Sequence, residues 1–360
     1  MHNSILGNGL ALLNNMVADK PGVIIGPIAQ VFGYIIDFIF NIVHGWSIYN
    51  SLGFSIILLT IIVRCLMLPM GIKQQKSMIK MQKLAPELEK IKAKYGNSKD
   101  PEIMQKMNAE QQALYAKNKV NPLGGCLPLL ITMPLFFGMS YIMNQSFMYI
   151  PKLNAVYEEL STAIMEVPDY QYYVTPLAIP HIPNKMINES TLSMGRVQDV
   201  SRVLNKFNAA DWDRLLHVRP AEYPGSNSTY TFPALDTLPE HYEKIMPILE
   251  RKQAIEIFFG LPLLEPCGWT FPGLIIPILV ALTSFATSWI GSKVSTSTNP
   301  QMQTQQKIMM YGFPVMMVFM TVGMPAGVGL YWITSSVYQV AQQAVLNHRA
   351  GFPMFKKKEA

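Results

Sequence analysis

Apolar segments long enough to cross a lipid bilayer recur along the chain. A membrane-spanning helix needs about 20 mostly apolar residues, because the hydrocarbon core is about 30 Å thick and a helix rises about 1.5 Å per residue. Only 14% of the 360 residues are charged, compared with about 25% in soluble domains. The sequence therefore predicts an all-α integral membrane protein with five transmembrane helices, at 49–70, 123–143, 269–290, 308–323 and 326–346.

The segment that precedes the first span differs from the others. Residues 26–46, which follow the N-terminal segment 1–25, are apolar but contain Gln30, Asp37 and Asn41 at spacings that place them roughly on one side of a helix. A polar stripe on an otherwise apolar helix is typical of helices that lie in the membrane interface. We expect an amphipathic interfacial helix here.

The loop between the first and second spans is strongly basic. Residues 71–120 contain eleven lysines and five acidic residues. Apolar residues recur at helical spacing, Gly96 interrupts the pattern, and Asp100 followed by Pro101 is typical of a helix start. Pro86 is expected to kink or restart the first arm. The pattern predicts a basic hairpin of two helices, and Pro69 is expected to end the span before it.

Charge in the loops predicts the topology. Short cytoplasmic loops are enriched in lysine and arginine, whereas long loops cross regardless of charge. Placing the hairpin, the linker with Lys293 and Lys307, and the basic tail 347–360 in the cytoplasm puts the N-terminus outside and the C-terminus inside. The region 149–268, with helical patterns near 189–217 and 238–258 and fifteen acidic against ten basic residues, is then extracytoplasmic.

Arg64 is the only charged residue within the first span. Its side chain would reach the headgroups by snorkelling, or it would face a hydrated cavity or a partner, because burying an arginine in lipid costs about 2.5 to 3.5 kcal/mol or more. The apolar segments supply no acidic partner. The second alternative predicts a hydrophilic groove near the cytoplasmic leaflet.

Small polar side chains in the spans could line such a groove, although each is more often a helix-packing residue. They are Thr60, Thr132, Ser140, Thr283, Ser284, Thr287, Ser288, Thr334, Ser335, Ser336, Gln339, Gln342 and Gln343. The 24 methionines are equally compatible with apolar filling and with an adaptable surface that accepts varied apolar segments.

The residues do not suggest an enzyme. All six histidines lie outside the spans or at their ends, and there is no HExxH motif or phosphate-binding glycine loop. The three cysteines are too far apart for a zinc site. We therefore predict no catalytic residue, cofactor or metal. The net charge of +6 is attributed to lysines facing an anionic leaflet, with no specific nucleic-acid partner.

Several motifs, in order, carry a resemblance to a known family. They are LMLPMGIKQQKSMIKMQKLAPELEKIKAKYG after Arg64, NPLGGCLPLLITMPLFFGM in the second span, IPILVALTSF in the third, and QQKIMMYGFPVMM followed by MPAGVGLYWITSSVYQVAQQ in the last two. In these blocks the chain resembles the YidC family of membrane protein insertases, which has relatives in mitochondria and chloroplasts. The blocks cover most of residues 30–148 and 268–348.

The resemblance implies a function and a site. It implies an energy-independent insertase of the bacterial cytoplasmic membrane that acts alone or beside the Sec translocon, with nascent membrane proteins as substrates, lipids as surroundings and the ribosome as a candidate partner. It implies that Arg64 contacts acidic or polar residues of the incoming chain and that Tyr331 and Trp332 lie near the groove. The expected groove residues are Arg64, Thr132, Thr283, Ser288, Tyr331, Trp332 and Ser335. Thr132 stands where family members often have a glutamine before the proline of the second span.

Two other functional classes remain open. A small-solute channel or secondary transporter would also need a polar cavity, although transporters often contain internal repeats and none is evident here. A structural assembly factor would grip partner helices through the hairpin and the outer region.

Overall fold

The computed structural model describes residues 25–96, 100–118, 120, 127–178, 195–222, 232–294 and 307–349. Its α-helices are α1 (Ile25–Trp46), α2 (Ser51–Lys83), α3 (Ala85–Tyr95), α4 (Pro101–Lys117), α5 (Leu127–Asn144), α6 (Ser146–Tyr149), α7 (Pro151–Met165), α8 (Gln171–Ala178), α9 (Val197–Leu204), α10 (Ala209–His217), α11 (Pro239–Glu256), α12 (Ile275–Val294), α13 (Phe313–Val322) and α14 (Ala326–Arg349). A π-helical turn (Ile308–Gly312) leads into α13, and a two-stranded antiparallel hairpin joins β1 (Ile257–Phe258) to β2 (Leu261–Pro262).

The apolar helices form a bundle around α14. This helix packs against α2, α5 and α12, and α12 also contacts α13. Within the described part of the chain, three helical segments are long and apolar enough to cross a membrane: Ile25–Trp46, Ser51–Met81 and Ile275–Ser292, with Ile308–Val322 a shorter apolar segment. The prediction of an all-α membrane protein is confirmed at this level.

The predicted spans correspond to helices with shifted ends. The span 269–290 corresponds to α12, which begins only at Ile275 because a turn occupies the residues before it. The span 308–323 corresponds to the π-helical turn and α13, and the span 326–346 to α14, which continues to Arg349. The span 123–143 corresponds to α5, and residues 121–126 lie outside the described residues.

Helix α2 does not end at Pro69, contrary to the prediction. It runs without interruption from Ser51 to Lys83, with Pro69 in its interior. A proline inside a helix removes one backbone hydrogen bond, here the bond to the carbonyl of Cys65. The packing of the extended helix against α14 on the far side of this position accounts for its continuation. The hairpin is therefore attached to the bundle through a continuous helix.

Helices α2 and α14 are parallel and keep one register. Ile56 lies beside Gly327, Arg64 bonds to Ser335, and Gln75 bonds to Asn347, so the partners are 271 or 272 positions apart. The contacts extend over about 28 Å of helix, since 19 residues separate the first and last of them. The pair forms a straight seam along the bundle.

Helix α1 packs on the bundle with one face. Ile28 lies against Gly138 of α5, and Gly33 lies against Tyr149, which follows the end of α5. Gln30 and Asn41 are exposed, and Asn41 donates to Asp37 of its own helix. The exposed surface of α1 also carries the apolar side chains Val31, Tyr34, Phe38 and Ile42. Helix α1 thus packs beside the C-terminal half of α5 and just beyond its end, and it also packs against α2.

The basic segment 71–120 contains the end of α2 together with α3 and α4. Helix α2 ends at Lys83, and α3 restarts with Pro86 in its first turn. The Asp100 side chain accepts a hydrogen bond from the Glu102 amide and so caps α4. Gly96 has φ +61°, a conformation that glycine adopts without steric cost. A small core of Leu84, Tyr115 and Val120 holds the two arms together, whereas residues 97–99 lie outside the described residues.

Residues 146–178, 195–222 and 232–262 form a helical lobe, with α7 packed against α9 and α11. The helices α9, α10 and α11 fall within the predicted helical regions, whereas α7, α8 and the β-hairpin were not predicted. A buried Lys252–Glu256 ion pair (2.7 Å) lies beside Tyr157, whose hydroxyl donates to Glu256. Burial raises the pKa of Tyr157 well above its usual value, so its hydroxyl keeps the proton that it donates. Residues 179–194 and 223–231 lie outside the described residues.

Candidate functional site

Arg64 is half-buried at the seam between α2 and α14. Its Nε donates a 2.7 Å hydrogen bond to Oγ of Ser335, and its Nη2 donates to the same oxygen. Ser335 is 3% exposed. The side chain therefore turns toward the neighbouring helix and bonds to a neutral hydroxyl there. This geometry differs from snorkelling, in which the guanidinium would extend along the surface to the headgroups.

A recess opens beside Arg64. Its volume of about 70 Å³ is enough for several water molecules, because one water needs about 10–15 Å³. Its lining includes five glutamines and two methionines among ten residues: Arg64, Met67, Met70, Gly71, Gln74, Gln75, Thr132, Gln339, Gln342 and Gln343. Helices α2, α5 and α14 each contribute to the wall. A polar recess of this size is the kind of setting in which an arginine inside a membrane would be tolerated.

The recess contains a strong local imbalance of charge. The helices α2, α5, α12, α13 and α14 contain no Asp or Glu. Within the described part of the chain, Arg64 forms no ion pair. A positive charge with only neutral acceptors attracts a carboxylate much more strongly in a low-dielectric site than in water.

Two tyrosines of α14 flank the arginine. Tyr331 is 3% exposed, one helical turn before Ser335, and both Tyr331 and Tyr338 lie within electrostatic range of the guanidinium. The Tyr338 hydroxyl also lies 3.7 Å from the Cys65 sulfur. Tyr331 thus lies near the arginine.

Three predicted groove residues lie elsewhere. Trp332 donates from Nε1 to Ser284 Oγ (2.8 Å) and packs edge-on against Phe136, so it joins α12, α5 and α14. The Thr283 hydroxyl donates to carbonyls of its own helix, and the Ser288 hydroxyl donates to the Met309 carbonyl (3.3 Å). Of the seven predicted residues, the recess brings together Arg64 and Thr132, with Ser335 and Tyr331 directly beside them.

The seam continues beyond Pro69 through residues that the sequence did not single out. Gln75 donates a 2.7 Å hydrogen bond to Oδ1 of Asn347, and both side chains are buried. Gly71 lies so close to Gln342 that a Cβ there would be 2.6 Å from its Nε2. Arg64, Gly71 and Gln75 are seven and eleven residues apart, which is the spacing of one helix face. Continuing the helical period through Pro69 would have identified them.

Comparison with known proteins gives consistent matches. Residues 43–198 and 232–352 match the sequence model of the family described as 60Kd inner membrane protein. The Membrane protein insertase YidC of Oceanobacillus iheyensis is 27% identical over 331 residues, covering 91% of this chain and 85% of that protein. The YidC of Fusobacterium nucleatum is 28% identical over 295 residues, covering 82% of this chain and 85% of that protein. The Membrane protein insertase MisCA of Bacillus subtilis is 51% identical over 89 residues, covering 25% of this chain and 34% of that protein.

Proposed function

We propose that this chain, which belongs to the family described as 60Kd inner membrane protein and is similar to YidC insertases, is an insertase that receives substrate segments in the recess beside Arg64. The observation that carries this proposal is a guanidinium in a polar recess with a neutral hydroxyl as its acceptor. In this proposal the recess acts by binding substrate segments.

The recess lowers the barrier to a short polar tail. A polar chain that crosses a bilayer must give up its water over about 30 Å of hydrocarbon. Hydration of the recess on one side shortens that distance. Arg64 attracts acidic residues of the tail, and the glutamines offer both donors and acceptors to the peptide groups of an extended chain. The Arg64–Ser335 contact has one charged partner, whereas a contact between Arg64 and a carboxylate has two, so an incoming carboxylate displaces the serine.

Release follows from partition into lipid. The apolar segment of the substrate leaves the recess for the bilayer, where burial of its surface is favourable by about 25 cal/mol per Å². Met67 and Met70 at the recess adapt to segments of different shape because methionine is unbranched and flexible. A membrane potential that is negative on the cytoplasmic side adds about 2.3 kcal/mol per acidic charge per 100 mV.

The topology and partners form part of the same proposal. The basic hairpin and the tail lie in the cytoplasm, the lobe lies outside, and α1 lies in the outer interface with Gln30, Asp37 and Asn41 toward water. The contact of α1 with Tyr149, just beyond the end of α5, supports this placement, and α1 also packs against α5 and α2. Nascent membrane proteins and lipids are the partners, and the Sec translocon and the ribosome follow from the family resemblance.

The test is insertion into proteoliposomes that contain only this protein. The substrate is a single-span protein with an acidic outer tail, paired with a version in which asparagine and glutamine replace the acidic residues. We expect Arg64→Ala to abolish insertion of the acidic substrate and to affect the neutral one less. Arg64→Lys retains the charge without the two-pronged contact and should be partly active. Arg219→Ala, which removes an exposed arginine of the lobe, is the matched control.

Two outcomes would contradict the proposal. Undiminished insertion by Arg64→Ala would remove the arginine from the mechanism. Flux of small solutes without any insertion by the wild-type protein would instead support the transporter.

A further inference from the structure

The turn of the β-hairpin places a large aromatic residue in a conformation that disfavours it. Phe259 and Gly260, between β1 and β2, have φ of +46° and +83°. Two positive φ angles in a two-residue hairpin are typical of a type I′ turn, whose first position favours Asn, Asp or Gly. A bulky residue with positive φ is a steric outlier that persists only where its surroundings fix it. The position of Phe259 therefore calls for an explanation outside the turn.

Contacts of the backbone, together with Phe258, hold this turn. The amide of Phe259 donates a 2.8 Å hydrogen bond to Oδ1 of Asn50, and the Asn50 amide donates to the Ala254 carbonyl (3.0 Å). Phe258 covers Gly53, where a Cβ would lie only 2.0 Å from its ring. The ring of Phe259 makes edge contacts with Phe54 and Phe258 but is still 76% exposed. Most of the ring is thus available to something outside the protein.

The exposed ring continues an apolar surface of α2. Phe54, Leu58 and Ile61 are all exposed and form one stripe that begins at the hairpin and runs along α2. A membrane-spanning helix presents such a stripe to lipid. Trp46 and Tyr49, which precede Asn50, are 86% and 67% exposed. Exposed aromatic rings at the end of a span are typical of the level of the lipid headgroups.

We propose that the hairpin 257–262 is a lipid anchor that fixes the lobe to the bilayer, with the Phe259 ring inserted into the leaflet on the lobe side. The bilayer is the partner because the ring is continuous with the lipid-facing stripe of α2 and lies beside the aromatic residues at its end. Transfer of the ring from water into this leaflet offsets the unfavourable backbone conformation. The proposal depends on the location of the chain in a membrane and not on its insertase activity.

The test is photocrosslinking of the full chain in proteoliposomes of defined lipids. Benzoylphenylalanine replaces Phe259, and the products of illumination are identified by mass spectrometry. The same probe at Leu66, which is 72% exposed on α2, is the positive control for lipid. The probe at Tyr172, which is 43% exposed on the lobe and stacks on Phe232, is the control for a lobe surface away from the hairpin.

We expect lipid adducts at positions 259 and 66, with at least a tenfold lower yield at position 172. Protein adducts at position 259 in place of lipid adducts would overturn the proposal and would identify a protein partner for the hairpin. Absence of lipid adducts at position 259, when position 66 forms them in the same vesicles, would also overturn it.

Discussion

At the residue scale, the proposed mechanism depends on the contact between Arg64 and Ser335. Nε and Nη2 of the arginine both donate to one serine oxygen in a half-buried setting. Hydrogen bonds to charged groups contribute about 1.5–3 kcal/mol. The serine thus stabilises the empty recess, while a substrate carboxylate would bind the same donors more strongly because both partners are then charged.

We expect Ser335→Ala to change the stability of the protein more than its insertion activity. The variant should be less stable than the wild type by about 1–3 kcal/mol, because the guanidinium loses its acceptor. Its insertion of a substrate with an acidic tail should be retained, since the substrate supplies a better acceptor. Thermal unfolding in detergent and insertion in proteoliposomes are the two measurements. Thr334→Val is the matched control, because the Thr334 hydroxyl donates only to the Leu330 carbonyl of its own helix. A loss of insertion as large as that of Arg64→Ala would show that Ser335 is not displaced by substrate.

The sequence was sufficient to single out Arg64, because charge within an apolar span is costly wherever it occurs. It was not sufficient to rank the hydroxyl groups around it. Ser335 and Thr283 are similar residues in similar apolar contexts, and only helix packing decides that Ser335 faces the arginine while Thr283 bonds to its own helix. Residue type gives the chemistry of the site, whereas the register of α2 and α14 selects its members.

At the scale of elements, the seam between α2 and α14 is fixed at its far end by Gln75 and Asn347. Both side chains are buried, so removal of one leaves the other without this partner. An unsatisfied buried polar group costs about 1–3 kcal/mol, whereas replacement of both partners by apolar residues can be nearly neutral.

A double-mutant cycle tests this seam. We expect Gln75→Leu and Asn347→Leu each to lower the free energy of unfolding by about 1–3 kcal/mol, and the double variant to lose less than the sum of the two. The measurement is the unfolding free energy in detergent for all four proteins. Strictly additive effects would mean that the two side chains do not stabilise the seam through their hydrogen bond.

Local signals predicted some elements and not others. The helix starts at Asp100 and near Pro86 were predicted because capping and proline geometry act within a few residues. The continuation of α2 through Pro69 was not predicted, since the contacts that support it come from a helix about 270 residues away in sequence. The short lobe helices α7 and α8 were missed for a related reason. They are defined by burial of residues such as Tyr157 and Tyr173 in a core assembled from distant segments.

At the scale of the whole molecule, helix α2 is long enough to connect the lobe at one end with the basic hairpin at the other. Its 33 residues extend over about 50 Å, well beyond the 30 Å of hydrocarbon. The lobe contacts its first turn through Asn50 and Phe54, and the basic hairpin follows its last turn at Lys83. If α2 crosses the bilayer, the lobe and the hairpin lie on opposite sides of it.

The parallel seam agrees with this arrangement. Two neighbouring helices that cross in the same direction must be separated by an odd number of crossings. Between α2 and α14 the sequence predicts three, by α5, α12 and the π-helical turn with α13. The lysine-rich hairpin then identifies the cytoplasmic side, because basic residues are retained there.

We therefore expect a cysteine at Asp213, exposed on the lobe, to react with a membrane-impermeant thiol reagent in intact cells, and a cysteine at Lys106, exposed on the hairpin, to react only after the membrane is opened. Labelling is compared with the parent chain, whose Cys65, Cys126 and Cys267 set the background. Labelling of position 106 in intact cells would show that the topology is the reverse of the proposed one. The membrane potential would then oppose the transfer of acidic tails.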